Sequence, residues 1–448
     1  MTTPFEYAHE NSERFREELN VLLRIPSVST EPECAGAVQE AAQWLAENMR
    51  AIGVENVEVM PTAGHPVVYG DWVKAGPDKP TVLVYGHYDV QPAEMKDGWT
   101  SDPFEPVMRD GKLYARGSSD DKGQMFTHLK AFEAVMQTEG KLPVNIKFLL
   151  EGEEEIGSRN LYEFVAQHRE KLKADVCVLS DSGIRRVDEP AITYSTRGLC
   201  YMQIDVSGPV RDVHSGLYGG VIHNPALALA QIISKLHNPD NSIAVPGFYD
   251  DVVQLTPDER EELKKTEITE EDIKSETGVP QAWGEAGYTL RERVGARPTV
   301  EVNGLLSGFT GEGSKTVLPA KAMAKISCRL VANQTPQKIY ELVKDYVASI
   351  TPPGVRAEVQ MVDKGDPALI ERDSVEMQAA IRAYTKVWGA APIFMREGGT
   401  LPILATFRRE LGIASLLMGY GLNTDGAHGP DEHYPIALFH KGIDTNIQ

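Results

Sequence analysis

The stretch TVLVYGHYDV, residues 81–90, decides the fold, because an apolar run of strand length ends directly in a histidine and a carboxylate. Two later runs, VNIKFLL at 144–150 and DVCVL at 175–179, are similar in length and composition. Apolar residues recur at helical spacing between the first two runs: Met125, Leu129, Phe132 and Met136. Strand, helix and strand in this order, with strands that are apolar throughout, predict a mostly parallel sheet covered on both faces.

The pattern changes near residue 198, because YMQIDVS at 201–207 alternates like an antiparallel strand. A chain of 448 residues is also longer than one hydrophobic core usually serves. We therefore predict an α/β protein with a doubly wound, mostly parallel sheet in a discontinuous first domain, residues 1–197 and 365–448. An inserted α+β domain is predicted at residues 198–364.

The charge balance excludes some classes of partner. With 45 basic and 65 acidic residues the net charge is −20, which excludes a general nucleic-acid binder and argues against an anionic membrane surface. The four cysteines lie far apart, as expected of reduced thiols. Because no secretory leader and no apolar run near the ~20 residues of a membrane span is visible, we expect a cytoplasmic protein. The acidic stretch 256–276 is expected to be a solvated helix surface.

Histidines and carboxylates follow the predicted strands or precede the predicted helix. They are His87 and Asp89, Asp120 and Asp121, the acidic run 151–155, Asp181, and His428 in a loop after the apolar run 413–418. Ligands of open α/β sheets gather outside the carboxyl ends of the strands, so these side chains are expected at one edge. Histidine and carboxylate ligands without cysteine suit Zn²⁺, Mn²⁺ or Co²⁺, and their number suits two ions bridged by one carboxylate.

Each of these motifs has a simpler interpretation when it is taken alone. His87 and Asp89 are compatible with a structural hydrogen-bonded pair, and Asp120 and Asp121 with capping of a helix. An acidic run such as 151–155 is usually solvated surface. The joint placement at one sheet edge favours the metal site.

Seven motifs occur in the order of one known family: GHYDVQP (86–92), ARGSSDDKG (115–123), EGEEEIGS (151–158), LSDSG (179–183), DVHSG (212–216), GEGSKTVLP (311–319) and REGGT (396–400). Together they resemble the carnosinase and cytosolic nonspecific dipeptidase branch of the aminoacylase and carboxypeptidase G superfamily of metallopeptidases. The resemblance extends from IPSVS at 25–29 almost to the C-terminus. It implies a catalytic first domain and an inserted lid and dimerisation domain.

The resemblance also implies the roles of individual residues at a centre of two metal ions, with Zn²⁺ expected and Mn²⁺ or Co²⁺ as alternatives. His87 binds one ion and His428 the other, Asp120 bridges both, and Glu155 and Asp181 complete one coordination sphere each. Glu154 is the general base for the water between the ions, and Asp89 orients His87. A shift of register by one residue would exchange Glu153 for Glu154. The family also has a cis peptide bond after the bridging aspartate, here between Asp120 and Asp121.

The resemblance places substrate contacts in the inserted domain and the loop at 396–400. His214 matches the histidine that stabilises the tetrahedral oxyanion, which the other subunit supplies in dimeric relatives. The residues matched to substrate contacts are Thr316 and Arg329 at the substrate carboxylate, and Arg396, Glu397 and Thr400 along the cleft, with Glu397 at the free amine. Taken alone, His214 is compatible with a surface histidine and Arg329 with an ion pair at the edge of the core.

We therefore predict a homodimeric dipeptidase that hydrolyses small peptides with both termini free. One alternative is an N-acyl-amino-acid deacylase with the same metal centre. Another is a catalytically inactive relative that acts as a binding protein, which would have lost at least one ligand or the base. All five predicted metal ligands and the predicted base Glu154 are present in the sequence.

Overall fold

The apolar runs predicted as strands lie side by side in the computed structural model, which describes residues 2–399 and 401–448. Strand Thr81–His87 pairs in parallel with Asn145–Glu151 on one side and with Val176–Leu179 on the other. Ala414–Leu417 continues the parallel part beyond Val176–Leu179. These strands are buried over most of their length, as expected of parallel strands covered on both faces.

Further strands join this sheet in antiparallel pairings. Val67–Trp72 pairs with Asn145–Glu151, Glu55–Met60 is the outer strand on that side, and Ala191–Thr196 follows Ala414–Leu417 on the other side. The longer helices of this part are Ser12–Leu23, Ala35–Ala51, Lys122–Glu139, Arg159–Gln167, Val375–Trp388 and Ile436–Ile447. Lys122–Glu139 packs against Thr81–His87. Ala35–Ala51 packs against Glu55–Met60 and Val67–Trp72. The predicted α/β class is confirmed.

The chain divides into two units, each with its own internal packing. The first contains residues 2–194, 370–395 and 406–448, and the second contains Ser195–Leu369 and the described part of 396–405. The inserted domain was predicted at 198–364, so the second unit differs by including the segment that follows Met395.

The second unit contains an antiparallel sheet in the order Thr299–Ser307, Lys321–Leu330, Gly198–Ser207 and Arg356–Gly365. Residues of Gly198–Ser207 alternate between buried and partly buried, which is the period that the sequence predicted. Helices Pro225–Ser234 and Pro336–Ile350 pack on this sheet and complete the core of the unit. A short ribbon pairs Val213–His214 with Val317–Leu318. The smaller helices are Ser215–Tyr218, Pro257–Lys264, Glu270–Thr277 and Leu290–Gly295.

The acidic stretch 256–276 forms helices Pro257–Lys264 and Glu270–Thr277, the first capped by Thr256 as its sequence indicates. The expectation that the whole stretch is solvated was wrong for Glu259. This side chain is buried and forms an ion pair with Arg396. Among the described residues, no helix has the length and apolar character that crossing a bilayer requires.

Candidate metal centre

The five predicted metal ligands come together at the carboxyl edge of the parallel strands in the first unit. His87 ends one strand, Asp181 follows the next, and Asp120 lies just before the helix Lys122–Glu139. Glu155 lies on the 3₁₀ turn Glu154–Ile156 that follows strand Asn145–Glu151, and His428 lies in a loop after Gly421–Leu422. The Asp120–Asp121 peptide bond is cis, as the resemblance implies.

Asp120 is shared by two groups of possible ligands. On one side, the His87 Nε2 atom lies 3.1 Å from Asp120 Oδ1 and 3.9 Å from Asp181 Oδ2. On the other side, the His428 Nε2 atom lies 3.0 Å from Asp120 Oδ2 and 3.3 Å from Glu155 Oε2. Within each group, all the possible ligand atoms lie within 4.8 Å of one another. Each oxygen of Asp120 therefore faces a different histidine, which is the donor arrangement of two ions bridged by one carboxylate.

The electrostatics of the centre also fit cations. Burial and the neighbouring Asp120 raise the pKa of Asp181 to about 7. Hydrogen bonds to Asp120 and Glu155 raise the pKa of His428 to about 10, so its ring holds a proton at neutral pH. Without metal, the proton on His428 and partial protonation of Asp181 thus offset part of the negative charge of the centre. Divalent cations would replace those protons, and the nitrogen and oxygen donors are of the type that Zn²⁺, Mn²⁺ and Co²⁺ accept.

A cavity of about 330 Å³ opens beside the centre. Asp120 and Asp181 line it together with Gln124, Ser182 and Asn423. Its size is at the lower end of the range for small-molecule sites, and its lining offers hydrogen-bonding groups next to the ligand atoms.

Asp89 lies behind His87 and is completely buried. The His87 Nδ1 atom is 3.1 Å from the backbone oxygen of Asp89 and 3.4 Å from its carboxylate. The same carboxylate accepts hydrogen bonds from the Ser29 hydroxyl at 2.6 Å and from the backbone N–H groups of Glu154 and Glu155 at 3.1 Å each. Asp89 thus contacts the histidine and the glutamate turn together, a connection that the sequence analysis did not predict.

The three consecutive glutamates point to different partners. Glu153 is buried and accepts hydrogen bonds from the His65 backbone N–H at 3.0 Å and from the Asn160 amide at 2.9 Å. Glu155 faces His428 and also accepts a 2.7 Å hydrogen bond from Gln91. The pKa of Glu154 is raised well above its usual value by burial and by nearby carboxylates. These contacts distinguish Glu154 from both neighbours.

Sequence reasoning missed Ser29 and Gln91, although both belong to motifs that it quoted. Ser29 ends IPSVS and Gln91 follows His87 in GHYDVQP. The Val90 N–H donates to the Ser27 backbone oxygen at 3.0 Å, and this pairing places Ser29 beside Asp89. The sequence indicated only that Ser29 and Gln91 belong to motifs. Membership in a motif does not identify the residue that a side chain contacts or the distance between them.

The remaining predicted contacts lie in the second unit. His214 is exposed on the ribbon Val213–His214, and its Nδ1 accepts a 2.9 Å hydrogen bond from the Gly216 N–H. The Ser215 N–H donates to the Thr316 backbone oxygen at 3.1 Å, so His214 and Thr316 lie on adjacent parts of one ribbon. Arg329 lies on strand Lys321–Leu330, where partial burial lowers its pKa.

The loop after Met395 differs in part from the expectation. Arg396 is buried, and its guanidinium donates to the Glu259 carboxylate, with the Nε contact at 3.2 Å. The Glu397 side chain is partly buried, and burial raises its pKa against the opposing charge of Arg291. Thr400 lies outside the described residues. The structure therefore shows the Arg396 guanidinium engaged by Glu259.

Comparison with known proteins gives consistent matches. Residues 83–447 match the family model described as "Peptidase family M20/M25/M40". The chain is 33% identical over 455 residues to the Cys-Gly metallodipeptidase dug1 of Schizosaccharomyces pombe, covering 98% of this chain and 95% of the relative. Human Beta-Ala-His dipeptidase is 33% identical over 372 residues, covering 82% of this chain and 73% of that protein. The structure of the M20 family metallo-carboxypeptidase Sso-CP2 from Sulfolobus solfataricus is similar with a TM-score of 0.83 at 33% identity, covering 97% of each chain.

Proposed function

This chain belongs to peptidase family M20/M25/M40, as its motifs predicted, and from that premise we propose that it is a di-metal dipeptidase acting on small peptides with free termini. The observation that carries the proposal is the position of Asp120, whose two oxygens lie 3.1 Å and 3.0 Å from the ring nitrogens of His87 and His428. The names of two relatives support a dipeptide substrate: a Cys-Gly metallodipeptidase, matched over 98% of this chain, and a Beta-Ala-His dipeptidase, matched over 82%.

The proposed ligands are His87 and Asp181 for one ion, His428 and Glu155 for the other, and Asp120 for both. We propose Zn²⁺ as the native ion, with Mn²⁺ and Co²⁺ as alternatives that the same donors accept. Two bound cations would polarise the scissile carbonyl and lower the pKa of the attacking water. The role of Asp89 is to hold the His87 ring in the orientation that directs Nε2 toward Asp120.

Glu154 is the proposed general base. Its carboxylate takes a proton from the attacking water and passes it to the leaving amine. Glu153 is held by His65 and Asn160, and Glu155 faces His428, which supports the assignment of the base to Glu154. Burial raises the pKa of Glu154, which makes its carboxylate a stronger proton acceptor than a solvated glutamate.

In the second unit, His214 would stabilise the oxyanion of the tetrahedral intermediate. Thr316 and Arg329 would bind the peptide carboxylate, and a guanidinium suits that group because it donates two parallel hydrogen bonds. Glu397 would meet the free amine and Thr400 the carboxylate side. Arg396 would support their loop through its ion pair with Glu259.

The homodimer also remains a proposal, with contact through the second unit. Large apolar side chains are exposed close to His214 in sequence, at Leu217, Val221 and Leu227. Leu305 and Leu306 are exposed on Thr299–Ser307, which is an edge strand of the sheet. Exposed apolar side chains often form protein interfaces where they lie together, and these residues are the proposed contacts. The four free cysteines, three of them buried, support the proposed cytoplasmic location.

The first experiment measures hydrolysis of free dipeptides, N-acetylated dipeptides and N-acetylated amino acids by protein reconstituted with Zn²⁺, Mn²⁺ or Co²⁺. Turnover of free dipeptides at about two ions per chain supports the proposal. Turnover of acetylated amino acids would instead identify a deacylase. Turnover of N-acetylated dipeptides would identify a carboxypeptidase, which is the activity in the name of the structural relative Sso-CP2. A protein that binds two ions and hydrolyses none of these would contradict the proposed substrate class.

The base is tested by replacing each of two adjacent glutamates. We expect Glu154→Ala to keep both ions and to lower kcat about 10²–10⁴-fold, because the proton acceptor is lost. Glu153→Ala is the matched control, and it should lower thermal stability while retaining most of the turnover. The reverse pattern would show that the register is shifted by one residue.

A further inference from the structure

Glu432 is a buried carboxylate that has no role in the centre described above. It follows His428 by four residues and is 312 residues from Asp120 in the chain. Its Oε1 atom accepts hydrogen bonds from the backbone N–H groups of Ser119 at 2.9 Å and Asp120 at 3.0 Å. Its Oε2 atom accepts from the Gly117 N–H at 2.9 Å and from the Arg116 guanidinium at 2.7 Å. One side chain therefore satisfies three N–H groups of the loop that carries Asp120.

Arg116 connects this carboxylate to the loop of His428. Besides Glu432, its guanidinium donates to the backbone oxygen of Gly429 at 3.2 Å and of Pro92 at 3.4 Å. Gly429 directly follows His428, and Pro92 directly follows Gln91, which contacts Glu155. The ion pair between Arg116 and Glu432 thus joins three segments that carry or contact proposed ligands.

The chemistry of these contacts matches an ionised carboxylate. All four partners of Glu432 are donors, and a charged carboxylate accepts from all of them, whereas a protonated one would present its own hydrogen to a donor. A buried ion pair is favourable only when additional hydrogen bonds satisfy its remaining atoms, and the N–H groups of the loop provide them. Hydrogen bonds to a charged group are also the stronger kind, so they restrain the loop more than neutral ones would.

We propose that Glu432 is a positioning residue, which holds the backbone of Asp120 so that both oxygens of that aspartate face their histidines. The Glu432 carboxylate accepts hydrogen bonds from Arg116 and from loop N–H groups, so it acts through the backbone of Asp120 and, by way of Arg116, through the loop of His428. The inference rests on the proposed di-metal function. Because Asp120 belongs to both ligand groups, a displaced Asp120 weakens both sites together.

The test compares Glu432→Gln with the wild-type enzyme, using competition with a chromophoric chelator to measure Zn²⁺ binding. We expect both Zn²⁺ dissociation constants to rise about 10–100-fold, as when groups that orient metal ligands are replaced. Activity should fall at limiting Zn²⁺ and recover substantially at saturating Zn²⁺, because the ligands themselves are retained.

Glu133→Gln is the matched control. Glu133 is also buried and ion-paired with an arginine in the first unit, but its hydrogen-bond partners are side chains and it contacts no proposed ligand. The Glu133→Gln substitution should lower the melting temperature and leave Zn²⁺ binding unchanged. If Glu432→Gln binds Zn²⁺ as the wild type does, or loses affinity no more than the control, the positioning role is wrong.

A second variant makes the test independent of whether Glu432→Gln folds. Arg116→Lys keeps a cation beside Glu432 and removes the fork that reaches Gly429, so we expect Zn²⁺ affinity to fall about tenfold with rescue by excess Zn²⁺. Unchanged affinity in this variant would overturn the proposal. A wild-type enzyme that binds fewer than two ions would overturn the proposed function itself, and this result is distinguishable because it does not involve the variants.

Discussion

Two clusters of carboxylates in the first unit are electrostatic opposites. In the N-terminal ion cluster, formed by Arg14, Glu18, Lys130 and Glu133, buried Lys130 lies 2.9 Å from Glu133 and also contacts Glu18. Although burial alone would raise the pKa of Glu18, Lys130 and Arg14 lower it. In the metal centre, the ion-pair partners of Asp120, Asp181 and Glu155 are histidines, and the pKa of Asp181 rises to about 7.

The difference shows that the source of the neutralising cation decides whether an acidic cluster stabilises the fold or binds ions. When the protein supplies the cation on its own side chain, as Lys130 does, the cluster is neutralised on folding and can stabilise the fold. When the protein supplies no cationic side chain, folding brings like-charged carboxylates together, and their repulsion costs free energy. Binding of a proton or a metal cation from solution reduces that repulsion. Exchange of a carboxylate for an amide should therefore have opposite consequences in the two clusters.

The largest effect is expected for Asp120→Asn in the metal centre. The amide can no longer bridge two cations, so both ions should bind more weakly and kcat/KM should fall by more than about 10²-fold, the upper loss seen for groups that only orient ligands. Metal content and dipeptide hydrolysis measure the two effects. Retention of two tightly bound ions would show that another carboxylate bridges them.

A smaller effect of the opposite kind is expected for Glu133→Gln in the N-terminal ion cluster. Lys130 and Arg14 each lose a charged partner there, so the free energy of unfolding should decrease by about 1–3 kcal/mol. Because the cluster contacts no proposed ligand, kcat and metal content per folded molecule should stay the same. Denaturant unfolding and activity assays of one preparation test both statements, and a large loss of activity would refute the separation of the two clusters.

The smallest effect is expected for Asp181→Asn in metal-free protein. The pKa of Asp181 is raised from 3.8 to about 7 in the folded state, so folding takes up a proton there between these values. Its contribution to stability is complete below about pH 4 and is lost as the pH rises to about 7. The variant should therefore melt roughly 2–4 °C above the wild type at pH 8 and near it at pH 4.

The control for this measurement is the metal-loaded state, where the order of stability should reverse because the wild type binds its ions more tightly. Melting curves of both proteins at pH 4, 6 and 8, with and without Zn²⁺, give the full comparison. A metal-free variant less stable than the wild type at pH 8 would mean that Asp181 is stabilised by contacts other than cations.

Local patterns in the sequence predicted the sheet and the meeting of the proposed ligands at its edge, because each strand and motif is encoded over a few residues. The run at 81–85 predicts its strand from composition alone, and His87 follows that strand directly. The carboxyl ends of parallel strands meet at one edge, so no knowledge of long-range contacts was needed to bring His87 and Asp181 together. The specific roles within the acidic run 151–155 depended on the family resemblance.

What could not be predicted depends on contacts between distant segments. Glu432 contacts the backbone of Asp120 across 312 residues, and Arg396 pairs with Glu259 across 137 residues. Charge and composition indicate that such groups are usually solvated, and only tertiary packing shows that they are buried. The same limit applies to Ser29, whose hydroxyl is an ordinary polar group until the chain places it 2.6 Å from Asp89.

The position of His428 in the chain has a consequence for biosynthesis. The other proposed ligands are translated by residue 181, and the whole stretch Ser195–Leu369 then separates them from the last one. His428 of the second group and Glu432, which accepts hydrogen bonds from the Asp120 loop, are therefore both synthesised after the other proposed ligands. During translation, neither proposed ion site can therefore reach the geometry described here until residues 428–432 have been synthesised.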